Sequence, residues 1–194
     1  MNEQRELADR VLASLRAGTV PWRFPHNRLP EFAPLFGKFF TGEPLTEAEV
    51  NYGEAEAIIA ATGAKVSHHW RVKKPRCERP PRARILLPPK SRFINDAQYI
   101  ASKLHELIHY VEAPWFANWV GPADRGEMIA EVGTGFLESH LRLPHDQDNT
   151  NILKWLPKWI EGIRADSAYL FDAVAQAERS VNYLLDLRRE KAAA

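Results

Sequence analysis

Residues 99–111 read Tyr-Ile-Ala-Ser-Lys-Leu-His-Glu-Leu-Ile-His-Tyr-Val and contain the pattern H-E-x-x-H. On a helix with 3.6 residues per turn, His105 and His109 lie one above the other on one face. Two imidazoles at this spacing can share one tetrahedral Zn²⁺, at about 2.0–2.1 Å each. Glu106 follows the first histidine directly, so its carboxylate can reach a water at the ion without being a ligand. The pattern therefore predicts a metal site with Glu106 as the catalytic residue.

The surrounding residues favour a helix. Apolar side chains beside the histidine face follow helical spacing at Ile100, Leu104, Leu107, Ile108 and Val111. Asn95 or Asp96 is suited to cap the start of this helix, and Pro114 ends the pattern. A five-residue motif with three fixed positions also matches by accident. The alternative interpretation is a core helix with two partly buried histidines and a surface glutamate.

The composition narrows the class of protein. A chain of 194 residues with 45% hydrophobic content can bury one sizeable core. The net charge is +1, so no global field indicates a nucleic-acid or membrane binder. The single cysteine, Cys77, excludes an intrachain disulfide framework and suits a reducing compartment. No apolar run approaches the length of a membrane span, and we expect a cytoplasmic protein.

The periodicity predicts a mainly helical α+β fold with a small antiparallel sheet. The predicted helices cover residues 3–17, 48–62, 124–141, 150–164 and 166–189, in addition to the H-E-x-x-H helix. The predicted strands cover residues 65–70 and 84–87. Residues 26–46 are rich in proline and phenylalanine, which favours a packed, mostly irregular segment. We expect two parts: an N-terminal helix and arm at 1–47, and the main domain at 48–194.

A catalytic zinc needs a third protein ligand, and a pair of carboxylates downstream could supply it. Glu127 and Glu131 are spaced i, i+4 on one helical face. One can bind the ion while the other accepts the free ring N–H of a ligating histidine. Gly133 and Gly135 would let this helix approach the H-E-x-x-H helix closely. The alternative is that Asp124-x-x-Glu127 is only an N-terminal capping arrangement.

Other residues carry weaker signals. Tyr99, Tyr110, His140 and His145 are candidates to line a substrate cleft, and none has a motif around it. His68 and His69 point to opposite faces of a predicted strand, so they cannot chelate one ion together. Residues 73–84 are basic and proline-rich, which favours an exposed connection; binding to nucleic-acid phosphates is the alternative.

Several ordered stretches together resemble the zincin-like metallopeptidase domain of ArdC-type antirestriction proteins and phage polyvalent proteins. They lie at residues 54–64, 84–89, 99–109, 127–137 and 173–184, with Trp159, Ile160 and Asp166 between the last two. The resemblance covers roughly residues 50–186, and the order of the motifs makes it more specific than H-E-x-x-H alone.

The resemblance implies a zincin fold in which a helix pair carries one Zn²⁺. It implies His105, His109 and Glu127 as metal ligands, Glu106 as the catalytic glutamate and Glu131 as the residue supporting a ligand. The expected activity is hydrolysis of a peptide bond in a protein substrate, linked to a phage, plasmid or other mobile element. Such family members also carry an N-terminal domain that binds single-stranded DNA, of which residues 1–47 keep a curtailed relic. The alternative function is therefore an ArdC-like antirestriction factor that binds DNA or a partner, with a structural metal.

Overall fold

The structure, a computed structural model, describes residues 3–23, 29–78, 82–112, 123–144 and 150–193. Helices make up most of it, as α1 (Glu3–Arg16), α2 (Ala33–Phe36), α3 (Gly53–Ala61), α4 (Asp96–Glu112), α5 (Ala123–Leu141), α6 (Thr150–Ala165) and α7 (Ala168–Ala193). The strands are β1 (Lys65–His68), β2 (Arg76–Glu78) and β3 (Arg84–Leu87). Single turns of 3₁₀ helix occur at Pro21–Arg23, Pro30–Phe32, Gly37–Phe39 and Lys90–Arg92. The α+β, mainly helical class predicted from the sequence is confirmed.

The small sheet is mixed, which corrects the expected antiparallel arrangement. Its strand order is β1-β3-β2, with β1 parallel and β2 antiparallel to β3. The last strand lies between the two that precede it, and these two run in opposite directions. β2 lies inside the stretch predicted as an exposed connection. It is three residues long, pairs with β3 only six to ten residues further along the chain, and contains no β-branched or aromatic residue that would indicate a strand.

Most helix boundaries fall within a few residues of the predicted ones, and α3 is the main exception. It begins at Gly53, although a helix from residue 48 was expected. Thr46 and Glu49 form a separate turn, in which the Thr46 backbone N–H donates to the Glu49 carboxylate at 3.0 Å. Asn51 Oδ1 then accepts the Gly53 N–H at 2.9 Å in a tight turn just before the helix.

The N-terminal segment packs into the same apolar core as the later helices. Trp22 is 2% exposed, and its ring centroid lies 5.9 Å from that of Trp159 on α6. The ring centroid of Phe39 lies 4.8 Å from that of Phe136 on α5. The described part of residues 26–46 is therefore packed, as expected, and its irregular path contains short helical turns. One core extends across residue 47; the division into two parts at that point stays a prediction.

In the described parts of the chain, every helix is too short or too polar to span a lipid bilayer.

Candidate metal centre

Helix α4 begins with a capping arrangement that fixes its position. Asn95 Oδ1 accepts the backbone N–H of Gln98 at 2.9 Å, and Gln98 Oε1 accepts that of Ile94 at 2.8 Å. The first bond satisfies a donor that the first turn of a helix leaves unpaired, and the second ties the chain just before the helix to that turn. The apolar stripe of the helix is fully buried at Leu104, Leu107 and Ile108. The helix is thus anchored at its start and along one side.

The two histidines of α4 lie on the side of the helix that faces α5. Their ring centroids are 4.9 Å apart, and their side chains are 14% and 22% exposed for His105 and His109 respectively. Glu127 projects from the first turns of α5 towards both rings. Its Oε2 lies 3.7 Å from Nε2 of His105, and its Oε1 lies 3.9 Å from Nε2 of His109.

These three residues fit a divalent metal ion. Each offers one ligand atom, and the three atoms lie within 4.8 Å of one another. Donors about 2.0–2.1 Å from a tetrahedral zinc are separated by roughly 3.3 Å, so the three atoms would have to draw together by up to about 1.5 Å to share one ion. Two imidazole nitrogens and one carboxylate oxygen also leave a fourth position open for a reacting molecule.

Helices α4 and α5 are in close contact at a glycine of α5. A Cβ built at Gly133 would lie 3.0 Å from Cδ1 of Ile108 on α4. Gly135 does not have the same role, which corrects the prediction that both glycines serve this contact. A Cβ at Gly135 would lie 2.4 Å from the backbone oxygen of Trp22, so this glycine admits the N-terminal segment instead. The two glycines are two residues apart and therefore face different neighbours of α5.

A family model described as a zincin-like metallopeptidase matches residues 53–176, which include both helices of the site. The chain belongs to this family. The resemblance drawn from the ordered motifs is thereby confirmed at the level of the family.

Two solved structures share the fold of this zincin-like chain. A crystal structure of the antirestriction protein ArdC from plasmid R388, described as Mn(II)-bound, has a TM-score of 0.74 at 19% identity and covers 97% of this chain and 98% of that chain. A metal-free structure of the same protein has a TM-score of 0.75 at 19% identity and covers 98% of this chain and 99% of that chain.

Two curated relatives from Escherichia coli carry the name DNA primase TraC. One is 30% identical over 160 residues, which cover 76% of this chain and 14% of the relative. The other is 26% identical over 183 residues, which cover 81% of this chain and 12% of the relative. The zincin-like chain thus corresponds to a small part of these much longer proteins.

Glu131 lies next to His105, on the side of the ring away from Glu127. It is 3% exposed, and its Oε1 lies 3.6 Å from Nδ1 of His105, the nitrogen turned away from Glu127. Arg23 Nη2 donates to Glu131 Oε2 at 2.9 Å. The amide of Asn151 donates to Glu131 at 3.0 Å and to Glu127 at 3.1 Å, and so ties the two carboxylates together. Glu127 therefore faces both histidines, whereas Glu131 lies behind one of them.

The capping interpretation of Asp124 and Glu127 does not describe this helix start. Asp124 Oδ2 accepts a hydrogen bond from the Tyr169 hydroxyl at 2.7 Å, and its backbone oxygen accepts one from Trp159 Nε1 at 2.7 Å. Glu127 is directed to the two histidines and Asn151. The acidic pair was the only local signal for a third ligand, and the structure brings one of its members to the imidazoles.

Charge and burial act against each other on the pKa values of His105 and Glu127. Burial alone would lower the pKa of His105, but the contact with Glu127 and the charges of Glu131 and Glu106 outweigh it and raise that pKa to about 9. Burial would raise the pKa of Glu127, whereas the contact with His105 and the charge of His109 lower it to about 2. A proton on His105 therefore occupies the position where a cation would bind.

Glu106 is held between α4 and the edge of the sheet. It is 7% exposed, and its carboxylate accepts the backbone N–H of Cys77 on β2. Burial raises the pKa of Glu106, and the charges of His105 and His109 oppose that rise. The edge strand beside this carboxylate is β2, and β3 is the central strand of the sheet.

The cleft candidates occupy different places. Tyr99 is buried, and its hydroxyl lies 3.0 Å from Nε2 of His68. Tyr110 is half-buried beside His109 in the sequence. His140 follows Glu131 by nine residues, about 13 Å along the helix. Burial lowers its pKa, and the nearby charges that act on this pKa are those of Arg189 and Glu54. His145 lies outside the described residues.

Three residues of the site were missed from the sequence: Arg23, Glu112 and Asn151. Arg23 and Asn151 are separated from Glu131 by 108 and 20 residues, so no local pattern connects them. Glu112 follows His109 by three residues, and its Oε2 lies 3.6 Å from the ring nitrogen Nδ1. That i, i+3 spacing was the one local signal that could have identified it.

Proposed function

We propose that this chain is a zinc-dependent metallopeptidase that hydrolyses a peptide bond of a protein substrate. The proposal rests mainly on one observation: two imidazoles and a carboxylate converge within 4.8 Å beside a buried glutamate that is not among them. Membership of the zincin-like metallopeptidase family supports it. The plasmid protein ArdC shares the fold, which supports the expected link to mobile elements.

The donor set favours zinc as the ion. Nitrogen-rich sites with one carboxylate are typical of catalytic zinc, whereas manganese prefers mostly oxygen ligands. The ArdC structure described as Mn(II)-bound makes manganese the first competitor to test. A divalent ion held by His105, His109 and Glu127 would polarise a scissile carbonyl and lower the pKa of a water molecule to about 7.

Glu106 would carry the proton transfers. Its buried carboxylate would take a proton from the attacking water and pass it to the leaving amine. The Cys77 N–H orients the carboxylate, and its raised pKa brings it nearer to the range in which a group exchanges protons at neutral pH. His105 and His109, one helical turn apart on α4, would hold the ion from one side. Glu127 on α5 would hold it from the other side.

The decisive experiment compares Glu106→Gln with the wild type. We expect the variant to keep its metal and to lose peptide hydrolysis by a factor of at least about a hundred. Glu161→Gln, the same change at an exposed position of α6, should leave both properties unchanged. Hydrolysis that persists in Glu106→Gln, or that survives complete removal of metal by a chelator, would contradict the proposal.

A second candidate function is binding of single-stranded DNA, with a structural metal. The relatives named DNA primase point towards it, and so does a basic surface at residues 64–77, which contain five lysines or arginines and no acidic residue. Trp70 on this surface is 63% exposed, with the Arg71 guanidinium 4.6 Å from its ring. Exposed aromatic rings among cations are typical of single-strand binding.

One set of measurements distinguishes the two candidate functions. Binding that weakens with salt, is lost in Trp70→Ala and survives in Glu106→Gln would favour the DNA-binding function. Chelator-sensitive hydrolysis that is unaffected by Trp70→Ala would favour the peptidase.

A further inference from the structure

Glu112 is a buried acid on α4. It lies in the last described turn of this helix and is only 7% exposed. Burying a carboxylate costs free energy unless hydrogen bonds or an opposite charge compensate it. Within the described ranges, Oε1 of Glu112 has no hydrogen-bond partner, and no lysine or arginine forms an ion pair with this residue. A carboxylate retained in such surroundings needs a reason beyond the stability of the helix.

The close contact of Glu112 is with a proposed metal ligand. Its Oε2 lies 3.6 Å from Nδ1 of His109, while the other ring nitrogen, Nε2, lies 3.9 Å from Oε1 of Glu127. The imidazole is therefore placed between two carboxylates, one on the side of the proposed ion and one behind the ring. Because the two residues are spaced i, i+3, the backbone of α4 itself sets this arrangement.

The second histidine has the same arrangement, built from a different helix. His105 Nε2 faces Glu127 at 3.7 Å, and its Nδ1 faces the buried Glu131 at 3.6 Å. Each imidazole thus has a buried carboxylate of its own at the nitrogen that faces away from Glu127. This repeated geometry in two rings shows that the position of Glu112 is not an isolated accident of packing.

We propose that Glu112 is a positioning residue that accepts the Nδ1–H of His109 and so holds the tautomer whose Nε2 lone pair faces the metal. The inference rests on the metal centre of the proposed function. A carboxylate behind a ligating imidazole fixes the orientation of the ring and increases its basicity. The present 3.6 Å separation would shorten by roughly 0.7 Å to reach hydrogen-bond length, an adjustment available to one side-chain rotation.

A pair of amide variants tests the assignment. Glu112→Gln keeps an oxygen at the same reach, whereas Glu112→Asn places its oxygen one methylene short of the ring. Zinc affinity is measured for both by competition with a chromophoric chelator. We expect Glu112→Asn to bind zinc about 10–100-fold more weakly than the wild type, and Glu112→Gln to stay within a few-fold of it. Glu138→Asn, at a buried acid on α5 outside the site, should leave zinc affinity unchanged.

Nuclear magnetic resonance of the imidazole nitrogens gives a readout that a purely structural role would not alter. In the zinc-loaded wild type, His109 should show a protonated Nδ1 and a metal-bound Nε2, and in Glu112→Asn the slowly exchanging Nδ1–H signal should be lost. Zinc affinity in Glu112→Asn within twofold of the wild type, or ligation of His109 through Nδ1, would overturn the inference. Neither readout uses hydrolysis, so a protein that fails to cleave peptides yet shows the affinity loss contradicts the peptidase function alone.

Discussion

At the scale of single residues, the metal-free site predicts how metal binding depends on pH. The carboxylates around His105 raise its pKa to about 9, so at neutral pH this imidazole carries a proton that must leave before it can bind a cation. The apparent zinc affinity should therefore rise about tenfold per pH unit from pH 7 towards pH 8 and level off above about pH 9. Chelator competition across this range measures it, with each chelator constant determined at the same pH.

The same proton can be counted directly. Calorimetric titrations with zinc at pH 7, in buffers with different heats of ionisation, should give release of about one proton for each ion bound by this site. Release close to zero would mean that the ring is already neutral, and the ion pair between His105 and Glu127 would then not describe the metal-free protein.

At the scale of secondary-structure elements, we expect one methyl group added at Gly135 to destabilise the fold strongly. A Cβ there would lie 2.4 Å from the backbone oxygen of Trp22, and a backbone atom cannot move aside as a side chain can. We expect Gly135→Ala to lower the free energy of unfolding by about 2–3 kcal/mol, within the range for overpacking. Gly126→Ala, on the same helix with nothing within 4 Å, should instead raise it by up to about 1 kcal/mol. Urea unfolding measures both, and equal effects would show that helix propensity alone decides.

The elements also show what local sequence can predict. Helix α4 was predicted with its cap because apolar spacing and an asparagine signal act within a few residues. β2 was missed because its three residues, Arg76–Glu78, include no β-branched or aromatic side chain and show no apolar alternation. In the site, the two histidines and the acidic pair were found from i, i+4 spacing. The contact between Gly135 and the backbone of Trp22 joins segments more than a hundred residues apart, so no local periodicity could predict it.

At the scale of the whole molecule, the N-terminal segment is part of the surroundings of the metal centre. Arg23 reaches Glu131 across 108 residues of sequence, with side chains that are 12% and 3% exposed. Glu131 in turn lies behind His105, so the arginine acts on the site through two contacts. Residues 1–47 were expected to be a relic of another domain; the described part of them contributes a partly buried cation to this site.

This coupling gives the last prediction. Arg23→Gln would leave Glu131 buried without its cation, which should lower the free energy of unfolding by about 3 kcal/mol and weaken zinc binding, because the carboxylate behind His105 then tends to take up a proton. Arg16→Gln, at an exposed position on α1, is the matched control and should change neither property. In the double variant Arg23→Gln/Glu131→Gln, the loss of stability should be smaller than the sum of the two single losses, since the buried charge is removed together with its partner. Additive losses, or an Arg23→Gln protein as stable as the Arg16→Gln control, would show that the N-terminal segment packs beside the metal centre without supporting it.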